Sequence, residues 1–204
     1  MNRRTPTPID ADLLRERILD VAEKHFRRIG YQKTSVADIA SCLGMSTANI
    51  YRFFPSRAVI NRSICGRFLA ETVQFTESIA RMQAPAHKKL VDVLNILHQK
   101  RKTTFIQERP VHELIVTATD ENWAITRAHS DQIVVIIETI VREGTEAHEF
   151  SVEDAAQAAR NVITAFMPFY HPILVEQGVR SGEHTEAALC DQIRFIFRAL
   201  GCSD

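Results

Sequence analysis

The sequence predicts an all-α protein of about nine helices, with short capped helices near the N-terminus and longer ones forming a bundle behind them. Glycine and proline are scarce, 7 of each in 204 residues, which leaves few punctuation points for many short strands. Apolar side chains recur at spacings of three and four along most of the chain, the period of a helix face. Several of these stretches open on serine and stop at glycine or proline, as helices do.

Taken in order, Leu14, Ile18, Val21, Ala22, Phe26 and Ile29 share one face of a first helix that ends at Gly30. Ser35 is the natural N-cap of a second, short helix. Asp38 stands at its capping-box position, and Val36, Ile39, Ala40 and Leu43 make its buried face. Gly44 stops this helix, and Ser46 caps a third, Thr47 to Phe54, which Pro55 ends. Ser56 caps a fourth, whose stripe of Ile60, Ile64, Phe68, Phe75 and Ile79 reaches the break at Ala84-Pro85. A helix over about 86–106 follows, with Leu90, Val93, Leu94, Leu97 and Phe105 inward, then a short one over about 110–119. A longer helix over about 122–143 buries Ile133, Ile136, Ile137, Ile140 and Val141 and ends at Gly144. Its Val-Val-Ile-Ile run suits a strand, but the flanking periodicity and the lack of any second strand decide for helix. Ser151 caps a segment over about 152–177 that Pro168 and Pro172 must kink, and the last helix, about 183–200, closes at Gly201.

The function-bearing pattern lies in residues 34–57. Two short helices, each with a serine cap, joined by a tight turn containing glycine, are the sequence form of a helix-turn-helix. This makes the N-terminal region a three-helix headpiece. Val36, Ile39, Ala40, Leu43, Ile50 and Phe54 hold the pair at a steep angle, so that the first helix rests on phosphates while the second enters the major groove. Thr47, Asn49 and Arg52 lie at offsets that face outward from the second helix, and small Ala48 permits close approach to the bases. Arginine bonds guanine bidentately and asparagine bonds adenine in the same way. Tyr51 and the hydroxyls of Ser35 and Ser46 can hold phosphate, and the two helix N-termini attract anions themselves.

At these residues the chain resembles the tetracycline-repressor (TetR/AcrR) family of bacterial regulators. Thr34-Ser35-Val36-Ala37-Asp38-Ile39-Ala40, Leu43-Gly44-Met45-Ser46, Ala48-Asn49-Ile50-Tyr51-Arg52-Phe53-Phe54 and Ser56-Arg57 follow its headpiece pattern, and the resemblance covers about residues 10–62. The family most often has lysine where this chain has Arg57, which keeps a cation for the phosphate backbone. It has threonine or serine where this chain has Asn49, a departure that falls on a base contact. The resemblance implies DNA contact by Thr34, Ser35, Ser46, Thr47, Ala48, Asn49, Tyr51, Arg52 and Arg57. It also implies an all-helical homodimer that reads a palindromic operator, represses by default, and is released by a small inducer. The expected division is a DNA-binding domain at 1–55 and a ligand-binding and dimerisation domain at 56–204.

Charge supports a polyanionic partner. Residues 1–70 hold 12 Lys/Arg against 6 Asp/Glu, whereas residues 71–204 hold 13 against 19, so a basic head precedes an acidic body although the whole chain is neutral. A helical module that binds protein instead of DNA fits the helices but leaves the basic head, Tyr51 and Arg57 unexplained. Arg3 and Arg4 could reach a minor groove as an arm or remain an unordered tail. Lys100-Arg101-Lys102 is read as the solvated face of its helix.

Enzyme chemistry lacks a signature. The eight histidines fall in no metal-binding spacing, there is no H-E-x-x-H, no Gly-rich phosphate loop and no G-x-S-x-G elbow, so neither metal nor cofactor is expected. Cys42, Cys65, Cys190 and Cys202 form no C-x-x-C pair. No apolar run approaches the ~20 residues of a membrane span. The N-terminus has no secretory apolar region, so the expected location is the cytoplasm, in association with the nucleoid.

Two further expectations concern the C-terminal bundle. Glu121-Asn122-Trp123 and Phe169-Tyr170-His171-Pro172 look like one C-terminal subgroup of the same family. Phe105, Trp123, Phe166 and Tyr170 are expected to line a largely apolar pocket for a small effector, with His98, His129 or His171 orienting it. The last two helices are expected to join two protomers, because Ala155, Ala156 and Ala159 allow close approach and Phe195, Ile196, Phe197 and Leu200 offer excess apolar surface.

Overall fold

The computed structural model describes residues 8–202, so Arg3 and Arg4 lie outside the described residues. Ten helices make up the fold: α1 (Pro8–Ile29), α2 (Val36–Cys42), α3 (Thr47–Phe53), α4 (Arg57–Ala80), α5 (Ala86–Gln107), α6 (Arg109–Asp120), α7 (Ala124–Glu146), α8 (Ala155–Tyr170), α9 (Pro172–Ser181) and α10 (Glu186–Ala199). Among the described residues there is no strand.

Local chemistry sets the N-terminal elements. The Ser35 hydroxyl accepts from the Asp38 amide while the Asp38 carboxylate accepts from the Ser35 amide, so both halves of the capping box are made. Ser46 caps α3 by accepting from the Asn49 amide at 3.2 Å, and Ser56 caps α4 by accepting from Val59. Between α2 and α3 the chain turns through Gly44 at φ 64°, a left-handed conformation that costs a side-chain-bearing residue energy and glycine very little.

The helices enclose two cores. The first collects Ile18, Ala22 and Phe26 of α1, Val36 and Ile39 of α2, Ile50 of α3, and Ile60, Ile64 and Phe68 of α4. It is closed from the other side by Val111, Leu114, Ile115 and Ala118 of α6. The second gathers α5 (Leu90, Leu94, Leu97), α7 (Ile133, Ile137, Ile140), α8 (Val162, Phe166) and α10 (Leu189, Ile193). Val73 of α4 belongs to the second, so α4 runs from one core into the other. The first core thus crosses the expected division at residue 55, drawing on α4 and on α6, which lies some fifty residues further along the chain.

Several elements differ from expectation. The segment expected as one kinked helix over 152–177 is two, since Pro172 begins α9 after His171 leaves helical geometry at ψ 128°. Asp154, not Ser151, caps α8, accepting from the Gln157 amide at 2.9 Å. Ser151 instead gives its amide to the Leu200 carbonyl at 2.8 Å and ties the loop to the end of α10. The last helix starts at Glu186 behind the cap Thr185. Ile29 and Phe75, both expected inward, are exposed, because the buried face rotates along these long helices and is continued by Leu19 in α1 and by Leu69, Thr72 and Thr76 in α4.

Gly144 does not stop α7, which continues to Glu146. Its role is close packing: a Cβ there would lie 2.3 Å from the Phe150 ring and 2.9 Å from the Ala86 side chain. Gly144→Ala should therefore cost ~1–3 kcal/mol through overpacking, although alanine is the better helix former. Urea denaturation of the two proteins measures it, and an equal or higher midpoint for the variant would show that Phe150 moves aside freely.

Candidate nucleic-acid interface and effector pocket

The capped pair α2–α3 presents one exposed face. Thr47, Ala48, Tyr51 and Arg52 are exposed on α3, a patch of positions one helical turn apart, while Asn49 is half-buried and Ile50 is enclosed in the first core. The outward set is thus shifted from the expected Thr47, Asn49 and Arg52 toward Tyr51. Ser35 and Ser46 sit at the exposed N-terminal ends of α2 and α3, with their hydroxyls used in the caps. The Ser35 hydroxyl and amide both donate to Asp38, and these bonds hold its carboxyl below the usual carboxylate range. Thr34 is buried and donates its hydroxyl to the Gly30 carbonyl at 2.9 Å, which fixes the entry into α2 rather than offering a contact.

Two arginines hold this face in place. Arg57 donates through Nη2 to the Tyr31 and Gln32 carbonyls, tying the start of α4 to the turn after α1. Arg15 donates to the Phe53 carbonyl at 2.7 Å and stacks over the Phe54 ring at 4.3 Å, fastening the end of α3 to α1. The acids of α1 are engaged by arginines: Glu16 and Asp20 pair with Arg67, and Glu23 with Arg27. Among the described residues, Lys24, Arg28, Lys33 and Arg52 have no carboxylate within 4 Å, and they leave the head its positive charge.

The aromatics expected to meet in one pocket are dispersed. Phe166 is fully buried in the second core, and Trp123 packs against the first core with its indole N–H donating to Glu121. Phe105 is half-buried beside His112, with the Arg109 and Arg180 guanidinia over its ring. His171 is half-buried at the α8–α9 break, and His98 bonds the Phe169 carbonyl at 3.0 Å. Tyr170 alone of the five expected site residues lines the cavity found among α4–α9. This cavity of about 340 Å³ also takes in Leu69, Arg101, Thr119, Thr126, His129 and Ser130.

Polar side chains stand in its walls among a larger share of apolar surface, and of the expected aromatics only Tyr170 is there. Arg101, expected on a solvated face, is only 8% exposed. Its Nη2 lies 3.4 Å from His129 Nε2, and the Tyr170 hydroxyl lies 2.8 Å from the same nitrogen. The sequence did carry a signal for this residue, since Arg101 continues the stripe Leu90, Leu94, Leu97 at a four-residue step. Below the cavity, Glu176 of α9 accepts from His112 at 2.7 Å and from Arg109 at 3.1 Å, both on α6. Desolvation would raise the Glu176 pKa, but these bonds pull it below the usual value.

An exposed, capped helix on a basic head, backed by a helical bundle with a cavity, is the layout of a one-component DNA-binding regulator. Comparison with known proteins agrees. Residues 18–62 match the model for bacterial regulatory proteins of the tetR family, and residues 86–177 match that for the tetracyclin repressor-like C-terminal domain. The chain belongs to the tetracycline-repressor family of bacterial transcriptional regulators. No protein of curated function matches its sequence.

Solved structures share the fold at low identity. A tetR-family regulatory protein from Rhodococcus RHA1 is 17% identical with a TM-score of 0.60, over 93% of this chain and 98% of that one. A putative transcriptional regulator from Saccharomonospora viridis in complex with choline is 22% identical with a TM-score of 0.61, over 93% and 96%. RolR in complex with resorcinol is 13% identical with a TM-score of 0.60, over 97% and 92%.

Burial holds His98, His112, His129, His171 and His184 below the ordinary imidazole value of 6.5, His129 at about 3. In the unfolded chain these rings take up protons near 6.5, so below that pH the unfolded state binds more protons and stability falls. The urea midpoint should therefore be lower at about pH 5.5 than at about pH 7.5. An unchanged midpoint would mean that these rings protonate without leaving the fold.

Proposed function

We propose that the protein is a repressor that binds a palindromic operator as a homodimer and lets go when a small molecule enters the α4–α9 cavity. The observation that carries this reading is the exposed face of Thr47, Ala48, Tyr51 and Arg52, presented on a capped helix by a positively charged head. Residues up to 55 read the DNA, with Arg52 as the base reader and Tyr51 with the Ser35 and Ser46 helix ends on phosphates. Arg57 supports the same surface through its grip on the α1–α2 turn.

Dimerisation falls to α8 and α10. A groove of about 430 Å³ runs between them, lined by Val152, Ala158, Val162, Ala165, Phe195 and Leu200, and Phe195 is 57% exposed. An apolar ring left in water beside an apolar groove suits a two-fold helix pairing. The pair would set the two copies of α3 in major grooves ~34–36 Å apart, or a multiple of that.

Release follows from linkage. A ligand that favours a mis-spaced dimer by ~1–3 kcal/mol lowers operator affinity 5- to 150-fold, and the operator weakens the ligand equally. The choline and resorcinol complexes of fold relatives support a small-molecule site in this bundle.

Selection from a randomised duplex library should return a palindrome bound by the wild-type protein with a steep salt dependence. Arg52→Ala should lose ~1–3 kcal/mol of discrimination at one base pair of each half-site, whereas Arg57→Ala should weaken all sequences alike. Equal losses for both across the library would overturn these roles. In sedimentation the wild type should run at twice the 23.1 kDa chain mass, and Phe195→Asp should run as a monomer. A monomeric wild type at micromolar concentration would remove the dimer from this account.

A further inference from the structure

Arg101 sits in the interior of the bundle without a counter-charge. Among the described residues no carboxylate lies within 4 Å of its guanidinium, and its Nε, fully enclosed, has no hydrogen-bond partner. The acids on its far side are taken: Glu71 faces Arg27 and Lys100, and Glu108 pairs with Arg27. The imidazoles, thiol and phenol that its charge acts on are kept neutral by their burial, and Asp131, which shares the cavity lining, stands exposed. Burial keeps His129 uncharged near 3, pushes the Cys65 thiol up to about 12, raises the Tyr170 phenol, and holds His171 and His112 below 6.5. Glu176, the nearby acid on α9, is spent on His112, Arg109 and Arg180.

A guanidinium does not shed its proton in a protein, so Arg101 cannot escape the cost of burial by becoming neutral as lysine can. A buried charge persists when something pairs with it. What lies before Arg101 is the 340 Å³ cavity, with the Tyr170, Thr126, Thr119 and Ser130 hydroxyls around it.

We propose that this cavity is a carboxylate site, in which the Arg101 guanidinium pairs with the carboxylate of a small organic acid. The planar fork of arginine matches the two oxygens of a carboxylate. A single buried cation suits a monoanion better than a dianion such as a phosphate monoester. At ~30 Å³ per water-sized group the cavity holds about ten non-hydrogen atoms, the size of a short aliphatic or single-ring acid. The assignment deepens the proposed effector response and rests on it only for the biological consequence; the anion site itself stands or falls on binding.

The test is a panel of monocarboxylates, from propionate and hexanoate to benzoate and phenylpropionate, each beside its primary amide, read by thermal shift and calorimetry on the full chain without DNA. At least one acid should bind more than tenfold tighter than its amide, and Arg101→Gln should abolish that preference. Arg101→Met, tested without ligand, should melt no lower than wild type, because an uncompensated buried charge has been replaced by an apolar chain. A panel with no acid-over-amide preference, tighter binding of phenyl phosphate than of the acids, or marked destabilisation by Arg101→Met would each overturn the carboxylate site. Operator release is measured separately. Acids that bind through Arg101 but leave the operator bound retain the site and refute the sensor, whereas uncharged releasing compounds with no acid binding do the opposite.

Discussion

The apolar side of α6 is the constraint on which both halves of the molecule depend. Leu114 and Ala118 are fully buried, and Val111 and Ile115 nearly so, in a core otherwise built from the DNA-reading helices and the start of α4. A buried aliphatic side chain of this size contributes ~1.5–3 kcal/mol, so the head cannot move off α6 without exposing a substantial part of its own interior. Two polar contacts reinforce the seat: the Tyr31 hydroxyl lies 2.9 Å from Thr117, and Arg27 reaches Glu108 at the start of α6. The other side of α6 is fastened to α9 through Glu176, and its C-terminal Thr119 lines the cavity. A change in the cavity therefore has a packed route to the head through α6 as well as along α4. Interiors this closely packed transmit displacement rather than absorb it.

The C-terminal bundle combines an apolar core with buried polar groups that are only partly satisfied. His129 Nδ1 and Arg101 Nε, both in the cavity wall, have no partner, and each such group opposes folding. Two such groups facing one cavity fit a site whose complement arrives from outside.

Much of the N-terminal architecture was legible because it is written in local chemistry. Ser35 with Asp38, Ser46 and Ser56 are caps whose partners lie three residues away, so spacing alone identifies them. The half-buried position of Asn49 was harder to see, since it depends on how α3 leans on its neighbours. Ile29 and Phe75 continue a straight stripe in the sequence but lie in solvent, because the buried face rotates along these long helices. Pro172 proved a break because it directly follows His171 in extended geometry. Most telling is Arg101: its place on the apolar stripe was visible, but charge argued for solvent, and only the fold shows that the stripe continues inward there. The seat of the head on α6 pairs residues some fifty or more positions apart, which no local pattern encodes.

Hydrogen exchange of the full chain with and without the selected operator duplex tests most directly whether α6 couples the head to the bundle. Duplex bound at α3 should slow exchange in residues 34–57 and also in 109–120, because the two share one core. Protection confined to 34–57, with α6 unchanged, would contradict the account and leave α4 as the sole connection between the DNA and the cavity.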